Sequence, residues 1–162
     1  LKGAGGITVP NAKYMGNQVC KSCHPEAYRI WVAAKHARTY VVLGTMMAKK
    51  IGEECKIQAP PPKSAKCLTC HATAATVSKE YRASEFHIEE GVKCEACHGP
   101  GEKYIAEEIM RDRNAATTAG LLMPTEKDCM TCHKSKPSHE MLKKKPFDYA
   151  TAWKKIAHTK NK

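Results

Sequence analysis

Hydrophobic residues of this chain occur in short runs with helical spacing, separated by polar stretches. The clearest run follows Pro25, a residue favoured at the first position of a helix. Its apolar members recur every three or four residues, as on one face of a helix, and are Ala27, Ile30, Trp31 and Ala34. The pattern predicts one short helix that ends near His36.

Further short helices are predicted downstream. The segments with helical pattern or composition are residues 41–50, 72–86, 102–113 and 149–158. Three consecutive prolines at positions 60–62 predict a stiff extended connector between helices. Thr125 and Asp128 have the spacing of a helix cap. The pattern predicts a mostly α-helical fold with much irregular loop.

The composition provides little material for a conventional core. The chain has 162 residues, the length of one domain, with 42% hydrophobic and 6% aromatic residues and a mean hydropathy of −0.52. Residues 1–17 are Gly-rich and are expected to form an extended tail. No apolar stretch has transmembrane length, and the first residues lack the charged start and apolar run of a signal peptide. We therefore expect a mature exported chain without a membrane span.

A repeated cysteine–histidine motif accounts for the missing core. The chain contains motif I (Cys20-x-x-Cys23-His24), motif II (Cys67-x-x-Cys70-His71), motif III (Cys94-x-x-Cys97-His98) and motif IV (Cys129-x-x-Cys132-His133). This is the signature for covalent attachment of c-type haem, in which two thiols bind the haem vinyl groups and the histidine binds the iron. Disulfide frameworks and zinc sites do not require a histidine after each second cysteine. The sequence predicts four covalently attached haem c groups.

Four haems determine the expected fold and location. About 40 residues would serve each haem, so haem faces would supply much of the buried apolar surface. We expect a multihaem cytochrome c fold in residues 1–162, with short helices wrapped around a stack of four covalent haems. Haem attachment takes place outside the cytoplasm, which predicts a periplasmic or extracellular protein. Cys55 is the one cysteine outside the motifs, and its role stays open.

Four further histidines are candidates for the second axial position of the irons: His36, His87, His139 and His158. On one continuous helix, His24 and His36 would lie about 18 Å apart. Two nitrogens across one iron are only about 4 Å apart, so His36 is expected to serve another haem unless that helix breaks.

The other three candidates differ in their reach. His158 follows motif IV by 25 residues, with two prolines between, and can reach the far face of the fourth haem. His139 lies only six residues after His133, so ligand and exposed histidine are equally weighted. His87 closes the segment predicted as a helix between two motifs and is the better candidate of the two.

The chain resembles the tetrahaem cytochrome c-554 family over residues 14–158. The resemblance is carried by Tyr28-x-x-Trp31 with His36-Ala37, by residues 91–101, and by Phe147-Asp148-Tyr149 leading to Ile156-Ala157-His158. It implies that His36 pairs with His98 and that His158 pairs with His133.

The sequence departs from that family at two haems. The family completes its first haem with a histidine shortly after motif III, where this sequence has Met110. Met110, or a rearranged His87 or His139, would then complete the haem of His24, while simple helix packing is the competing role for Met110. The best-known members leave the second haem five-coordinate, and His87 is a candidate to close it here.

The resemblance and the motifs favour an electron carrier over an enzyme. Electrons would hop from haem to haem between redox partners, and the net charge of +11 favours partners with an acidic docking surface. Nucleic-acid binding is not expected, because aromatic residues do not interleave the basic ones. Two alternatives stay open: reduction of nitric oxide, nitrite, hydroxylamine or peroxide at an open iron on the haem of His71, and a subunit of a haem-chain filament or redox complex.

Overall fold

Short helices and turns dominate the computed structural model, which describes residues 11–143 and 145–158. In chain order, the α-helices of this part are α1 (Asn17–Cys23), α2 (Pro25–Ala33), α3 (Met46–Glu54), α4 (Ala65–His71), α5 (Glu95–His98), α6 (Glu107–Met110), α7 (Arg113–Thr118), α8 (Glu126–Met130), α9 (Pro137–Glu140) and α10 (Tyr149–Ile156). Turns of 3₁₀ helix lie at Lys35–Arg38, Val41–Gly44, Pro61–Lys63, Lys79–Tyr81, Ile88–Glu90 and Gly101–Lys103.

The described residues contain no β-sheet. Their one strand-like feature is an isolated parallel bridge between Tyr14 and Arg82. None of their helices is both long and apolar enough to cross a bilayer. The expectation of a mostly helical chain with short helices and much irregular loop is confirmed for this part of the molecule.

The helix after motif I begins as expected and ends early. Pro25 occupies its first turn, and the last helical residue is Ala33. Ala34 is extended, with ψ of 156°, and a separate 3₁₀ turn over Lys35–Arg38 then carries His36. His24 and His36 therefore do not share one continuous helix, and the 18 Å separation that assumed one does not apply.

Two segments that were predicted to be helical do not form single helices. Residues 72–86 contain only the 3₁₀ turn Lys79–Tyr81, and Ala74 has a φ of +55°. Hydrogen bonds to distant backbone replace the helical ladder: Tyr14 donates to the Tyr81 carbonyl at 2.9 Å, and Ala83 donates to the Tyr14 carbonyl at 2.9 Å. Alanine stabilises a helix relative to most other residues by only a few tenths of a kcal/mol per residue. Tertiary hydrogen bonds such as these therefore override its helix propensity.

The second exception is the segment 102–113. It divides into the 3₁₀ turn Gly101–Lys103, the four-residue α6 and the start of α7. Tyr104 does not continue into a helix, and its hydroxyl donates to the Gly99 carbonyl at 2.7 Å. The amphipathic pattern thus reflects a half-buried segment at the surface and not one continuous helix.

The other predicted segments are found with shifted ends. Residues 41–50 form a 3₁₀ turn followed by α3, whose start is capped by the Thr45 hydroxyl accepting from the Ala48 amide at 3.2 Å. Residues 149–158 contain α10. The cap before motif IV is present, with the Thr125 amide donating to Asp128 Oδ2 at 2.7 Å.

Part of the expected N-terminal tail belongs to the core. Residues 1–10 lie outside the described residues. Within the rest of that segment, Ala12 and Tyr14 are buried, and Asn17 is the buried first residue of α1. The residues that directly precede motif I thus contribute buried side chains to the core.

Buried hydrophobic side chains form two small clusters among the described residues. One contains Tyr14, Ala74, Val77 and Phe86, and the other contains Leu43, Leu68 and Ala72. Ile88 packs against both clusters and connects them. Neither cluster is large, as expected for a chain whose composition predicts a sparse core.

Candidate haem-binding sites

Each cysteine–histidine motif lies at the C-terminal end of a short helix. Motif II ends α4, and motif III ends at the last residue of α5. His24 directly follows α1, whereas α8 ends within motif IV, so that Cys132 and His133 lie just beyond it. Helical hydrogen bonds close the motifs: His24, His98 and His133 donate from their amides to the carbonyls of Cys20, Cys94 and Cys129 at 2.9, 3.0 and 3.0 Å. A spacing of three residues along a helix places both thiols on the face that also carries the histidine.

All nine cysteines are free thiols, so no disulfide competes for the motifs. In the described part of the chain, no group of three or more His, Cys, Asp or Glu side chains is arranged to hold a bare metal ion. Cys55 lies half-buried at the C-terminal end of α3. These findings leave each motif's two thiols available for thioether attachment.

Three motif histidines face a second histidine ring. His71 lies opposite His139 with ring centroids 5.9 Å apart, His98 opposite His158 at 5.7 Å, and His133 opposite His36 at 5.9 Å. An iron bonded at about 2 Å to one nitrogen of each ring would separate the two centroids by about 6 Å. The ring separations therefore fit axial pairs on haem iron, with two pairs at steep interplanar angles of 66° and 68° and one at 28°.

The ring pairs differ from the pairing that the family resemblance implies. His36 lies against His133 and not against His98, and His158 lies against His98 and not against His133. The break after α2 provides the physical reason for the first exchange, because it frees His36 from the helix and turns it toward motif IV.

Backbone carbonyls orient two of the motif rings. His71 donates from Nδ1 to the Thr39 carbonyl at 2.8 Å, and His98 donates from Nδ1 to the Leu122 carbonyl at 2.9 Å. A hydrogen bond at Nδ1 fixes the tautomer and leaves the Nε2 lone pair free for a metal. The opposite rings have local partners, since His158 Nδ1 lies 3.0 Å from the Ile156 carbonyl and His139 Nδ1 lies 3.1 Å from the Ser138 hydroxyl.

Desolvation disfavours the charged form of several of these imidazoles. Desolvation lowers the pKa of His36, His98 and His133 below the usual value, and the neighbouring ring lowers it further for His36. Only the neutral imidazole has a lone pair to offer a metal. The environment thus favours the ligating form at neutral pH.

His24 has different surroundings. All eight histidines lie in the described residues, yet no second imidazole faces His24 at the separation seen in the three pairs. Instead, a cavity of about 540 Å³ adjoins His24 together with Cys20 and Cys23. Tyr104 and Met110 also line this cavity. Met110 is thus brought to the site that the sequence proposed for it.

His87 is placed differently from its expected role. The residue is exposed and caps the 3₁₀ turn Ile88–Glu90, because the segment before it is not helical. In the described part of the chain, its ring does not face any of the four motif histidines. The structure therefore does not bring His87 to the second haem site.

Thiols of different motifs lie against one another. Cys20 and Cys94 share a hydrogen bond, which raises the pKa of Cys20 and lowers that of Cys94. Cys70 and Cys132 share another, which lowers the pKa of Cys70 to about 5 and raises that of Cys132. Motif I therefore adjoins motif III, and motif II adjoins motif IV.

A weaker contact connects motifs III and IV. Burial raises the pKa of Cys97 to about 11, and the nearby Cys129 contributes to the rise. Lys136 Nζ also donates to Cys70 Sγ at 2.8 Å and so connects the segment after motif IV to motif II. The four attachment points thus form one contiguous series in the order I, III, IV, II.

A buried carboxylate that sequence reasoning missed supports motif III. Glu95 is 2% exposed, and its two oxygens accept backbone hydrogen bonds from Met15 at 2.7 Å, Gly16 at 2.8 Å and Gly101 at 2.8 Å. Burial raises the pKa of Glu95, and the three amides oppose that rise. No sequence signal distinguishes Glu95 from an exposed glutamate, because its partners are backbone groups that only the fold brings together.

A second missed group is the junction of Thr39 with residues 91–93. Thr39 Oγ1 lies 2.8 Å from the His36 carbonyl and 2.9 Å from the His71 carbonyl, and it accepts from the Val92 amide at 3.0 Å. Gly91 has a φ of +80°, and a Cβ there would lie 2.6 Å from the His36 carbonyl oxygen. The glycine before motif III was the available signal in the sequence.

A buried lysine completes this junction. Lys93 Nζ lies 2.7 Å from Glu90 Oε2 and 3.7 Å from the centroid of the Phe86 ring, with its side chain fully buried. The ion pair and the ring stabilise a charge that would otherwise be costly to bury. The segment before motif III is therefore fixed on both sides.

Comparison with known proteins agrees with this site chemistry. A family model described as cytochrome c554 and c-prime matches residues 19–99, half of the chain, and this segment includes motifs I, II and III. Cytochrome c-554 of Nitrosomonas europaea is 27% identical over 106 residues, which cover 62% of this chain and 44% of that protein. The chain thus spans less than half the length of this curated relative, and no solved structure matches it. The chain belongs to the cytochrome c554 and c-prime family.

Proposed function

We propose that this chain is a tetrahaem c-type cytochrome that carries electrons between redox partners outside the cytoplasm by hopping from haem to haem. Family membership implies covalent haem c and a role in electron transfer. The observation that carries the finer proposal is the set of three histidine ring pairs at 5.7–5.9 Å, each containing one motif histidine.

The residues present fit this cofactor at each motif. Haem c, when bound, supplies reversible one-electron chemistry at iron. The two cysteine thiols of a motif hold it covalently, and the following histidine binds the iron. In the three pairs, His139, His158 and His36 are the residues that would supply the second iron ligand. Two protein ligands prevent small molecules from binding and keep the ligand set the same in both redox states.

The order of the motifs in space supports a one-dimensional path. Interactions between thiols connect motif I to motif III, motif III to motif IV and motif IV to motif II. The residues that would hold neighbouring cofactors therefore lie close together. Motifs I and II lie at the two ends of this series and are the proposed points of exchange with partners.

Charge favours acidic partner surfaces. The net charge is +11, and exposed lysines follow motif IV at Lys134, Lys143, Lys145, Lys154 and Lys155. Such a surface speeds encounters with an acidic protein and makes them sensitive to salt. We propose a transient redox complex at this face, since electron-transfer encounters are typically small.

The geometry is less favourable to a small-molecule reductase. That alternative placed an open iron at the haem of His71, but the His139 ring lies at 5.9 Å from the His71 ring. A filament that borrows a distal histidine from a neighbour needs an incomplete site and an exposed donor. His24 and His87 are the only histidines outside the pairs, and the inference below addresses them.

Mass spectrometry and spectroelectrochemistry of the purified holoprotein test the proposal. We expect a mass increase equal to four haems and reversible titration of four electrons per chain. Steady electron exchange with an acidic small redox protein should slow as ionic strength rises. Fewer than four adducts, or rapid turnover of nitrite, hydroxylamine or peroxide that accounts for the oxidation, would contradict it.

A further inference from the structure

We propose that the thioether of Met110 is the sixth ligand of the haem attached at motif I, so that this one site has histidine–methionine ligation while the other three have histidine pairs. The inference rests on the proposed tetrahaem function and specifies one of its sites. It also separates two roles left open by the sequence, ligand or helix packing residue.

The histidines alone leave exactly one iron incomplete. Six of the eight histidines form the three ring pairs, and all eight lie within the described residues. His24 belongs to motif I, which leaves His87 as the remaining imidazole. His87 is exposed and does not line the cavity beside His24. A sixth ligand supplied by this chain would therefore be of another residue type.

The cavity of about 540 Å³ provides that ligand. Its lining includes Cys20, Cys23 and His24, which are the complete attachment set of motif I. The lining also includes Met110, the last residue of α6. Apart from motif I itself, the lining residues whose side chains could bind haem iron are Met110 and Tyr104. The Tyr104 hydroxyl donates to the Gly99 carbonyl at 2.7 Å, which leaves the thioether of Met110 as the candidate.

Hydrogen bonds and an ion pair within the neighbouring turns fix the position of Met110 beside the cavity. The Met110 amide donates to the Ala106 carbonyl at 2.9 Å, which closes the single turn of α6. Arg111 and Glu107 form an ion pair across the same turn, and Asp112 caps the start of α7 directly afterwards. The ion pair is exposed and contributes little stability, but the turn and the cap fix where the chain enters and leaves Met110.

The proposed ligand changes the redox properties of one end of the series. Methionine in the axial position raises the reduction potential relative to a second histidine. Motif I lies at one end of the order I, III, IV, II. The site at His24 would therefore be the first to accept electrons in a reductive titration, and electrons entering at motif II would collect at motif I.

Optical and NMR spectra of the holoprotein test the assignment. The oxidised wild-type protein should show the weak absorption at the red edge of the visible spectrum that ferric iron acquires from thioether sulfur, with the intensity of one iron in four. In the reduced protein, one methionine methyl resonance should be shifted strongly upfield by the haem ring current. Met110→Leu should abolish both signals and let carbon monoxide bind one iron in four.

Three further variants complete the test. Met46→Leu, at a methionine 79% exposed on α3, should retain both signals. Met110→His should lose them and lower the most positive potential toward the other three, with no carbon monoxide binding. His87→Ala should leave all spectra unchanged at every protein concentration.

The contrary outcomes are equally distinct. Wild-type protein that lacks the thioether signals and binds carbon monoxide at one iron would overturn the assignment in favour of an open site. Loss of the sixth ligand in His87→Ala, or on dilution of the wild type, would overturn it in favour of a histidine donated by a second copy. A wild-type haem content below four would instead count against the proposed function, whatever Met110 does.

Discussion

The carbonyl oxygen of Thr39 accepts a hydrogen bond from Nδ1 of His71 at 2.8 Å, while the hydroxyl of the same threonine lies 2.9 Å from the His71 carbonyl. One residue therefore holds both the ring and the backbone of the motif II histidine. The hydroxyl also lies 2.8 Å from the His36 carbonyl. Thr39 thus connects the histidine of motif II to the residue proposed as the distal ligand at motif IV.

Replacing Thr39 by valine removes the hydroxyl at nearly constant volume. The Val92 amide loses one acceptor, and the carbonyls of His36 and His71 lose their donor, so we expect the free energy of unfolding to fall by about 1–3 kcal/mol. Guanidinium chloride unfolding of the holoprotein measures the change. Thr117→Val, whose hydroxyl donates within exposed α7, should change stability by less than about 0.5 kcal/mol. Equal effects of the two variants would contradict the role of Thr39.

Replacing any one of the proposed distal histidines should remove the second ligand from one iron only. His139→Ala, His158→Ala and His36→Ala should each produce one high-spin iron and allow carbon monoxide to bind one haem in four. The physical reason is that alanine cannot span the distance that the second ring occupies at 5.7–5.9 Å from its partner. Optical titration with carbon monoxide measures the stoichiometry. A variant that binds none would show that its histidine is not a ligand.

Gly91 should tolerate no side chain. Its φ of +80° is unfavourable for other residues, and a Cβ would lie 2.6 Å from the His36 carbonyl oxygen and 2.7 Å from Thr39 Oγ1. We expect Gly91→Ala to destabilise the holoprotein by more than about 2 kcal/mol. The matched control is Gly44→Ala, because no atom lies within 4 Å of a Cβ built at Gly44. Unfolding curves that shift equally for both variants would be inconsistent with this contact.

Glu95 should make stability depend on pH in a defined direction. Burial raises its pKa in the folded protein above the ordinary value of 4.5, so between these two values the folded chain binds a proton that the unfolded chain has lost. The contribution of Glu95 to stability is therefore greatest below the unfolded pKa and decreases as the pH rises through the folded pKa. Unfolding free energies of wild type and Glu95→Gln, measured from about pH 4.5 upward, should diverge accordingly. Glu102→Gln, at an exposed carboxylate that accepts from the Lys13 amide, is the control.

Local patterns in the sequence predicted the elements whose stability is local. α2, α3 and α10 follow apolar periodicity, and the Thr125–Asp128 cap follows from side-chain chemistry within one turn. Residues 72–86 failed because the bonds that shape them come from Tyr14 and Gly91, which are distant in the chain. Helical composition cannot reveal such partners.

The same distinction between local and distant interactions applies to the candidate haem-binding sites. The four motifs, and Met110 as a candidate at the first of them, were readable because cysteine, histidine and methionine carry the chemistry themselves. The sequence does not indicate which histidine rings face each other. The exchange of partners between His36 and His158 depends on the break at Ala34 and on the path that returns α10 to motif III. Glu95 and Thr39 were missed because their partners are backbone atoms.

The positions of the irons in a crystal of the holoprotein test the central claim most directly. Anomalous scattering at the iron edge should show four irons per chain, with three lying between the rings of His71 and His139, of His98 and His158, and of His133 and His36. The fourth should lie beside His24, within bonding distance of the Met110 sulfur. Fewer than four irons, or irons that lie outside these ring pairs, would contradict the account.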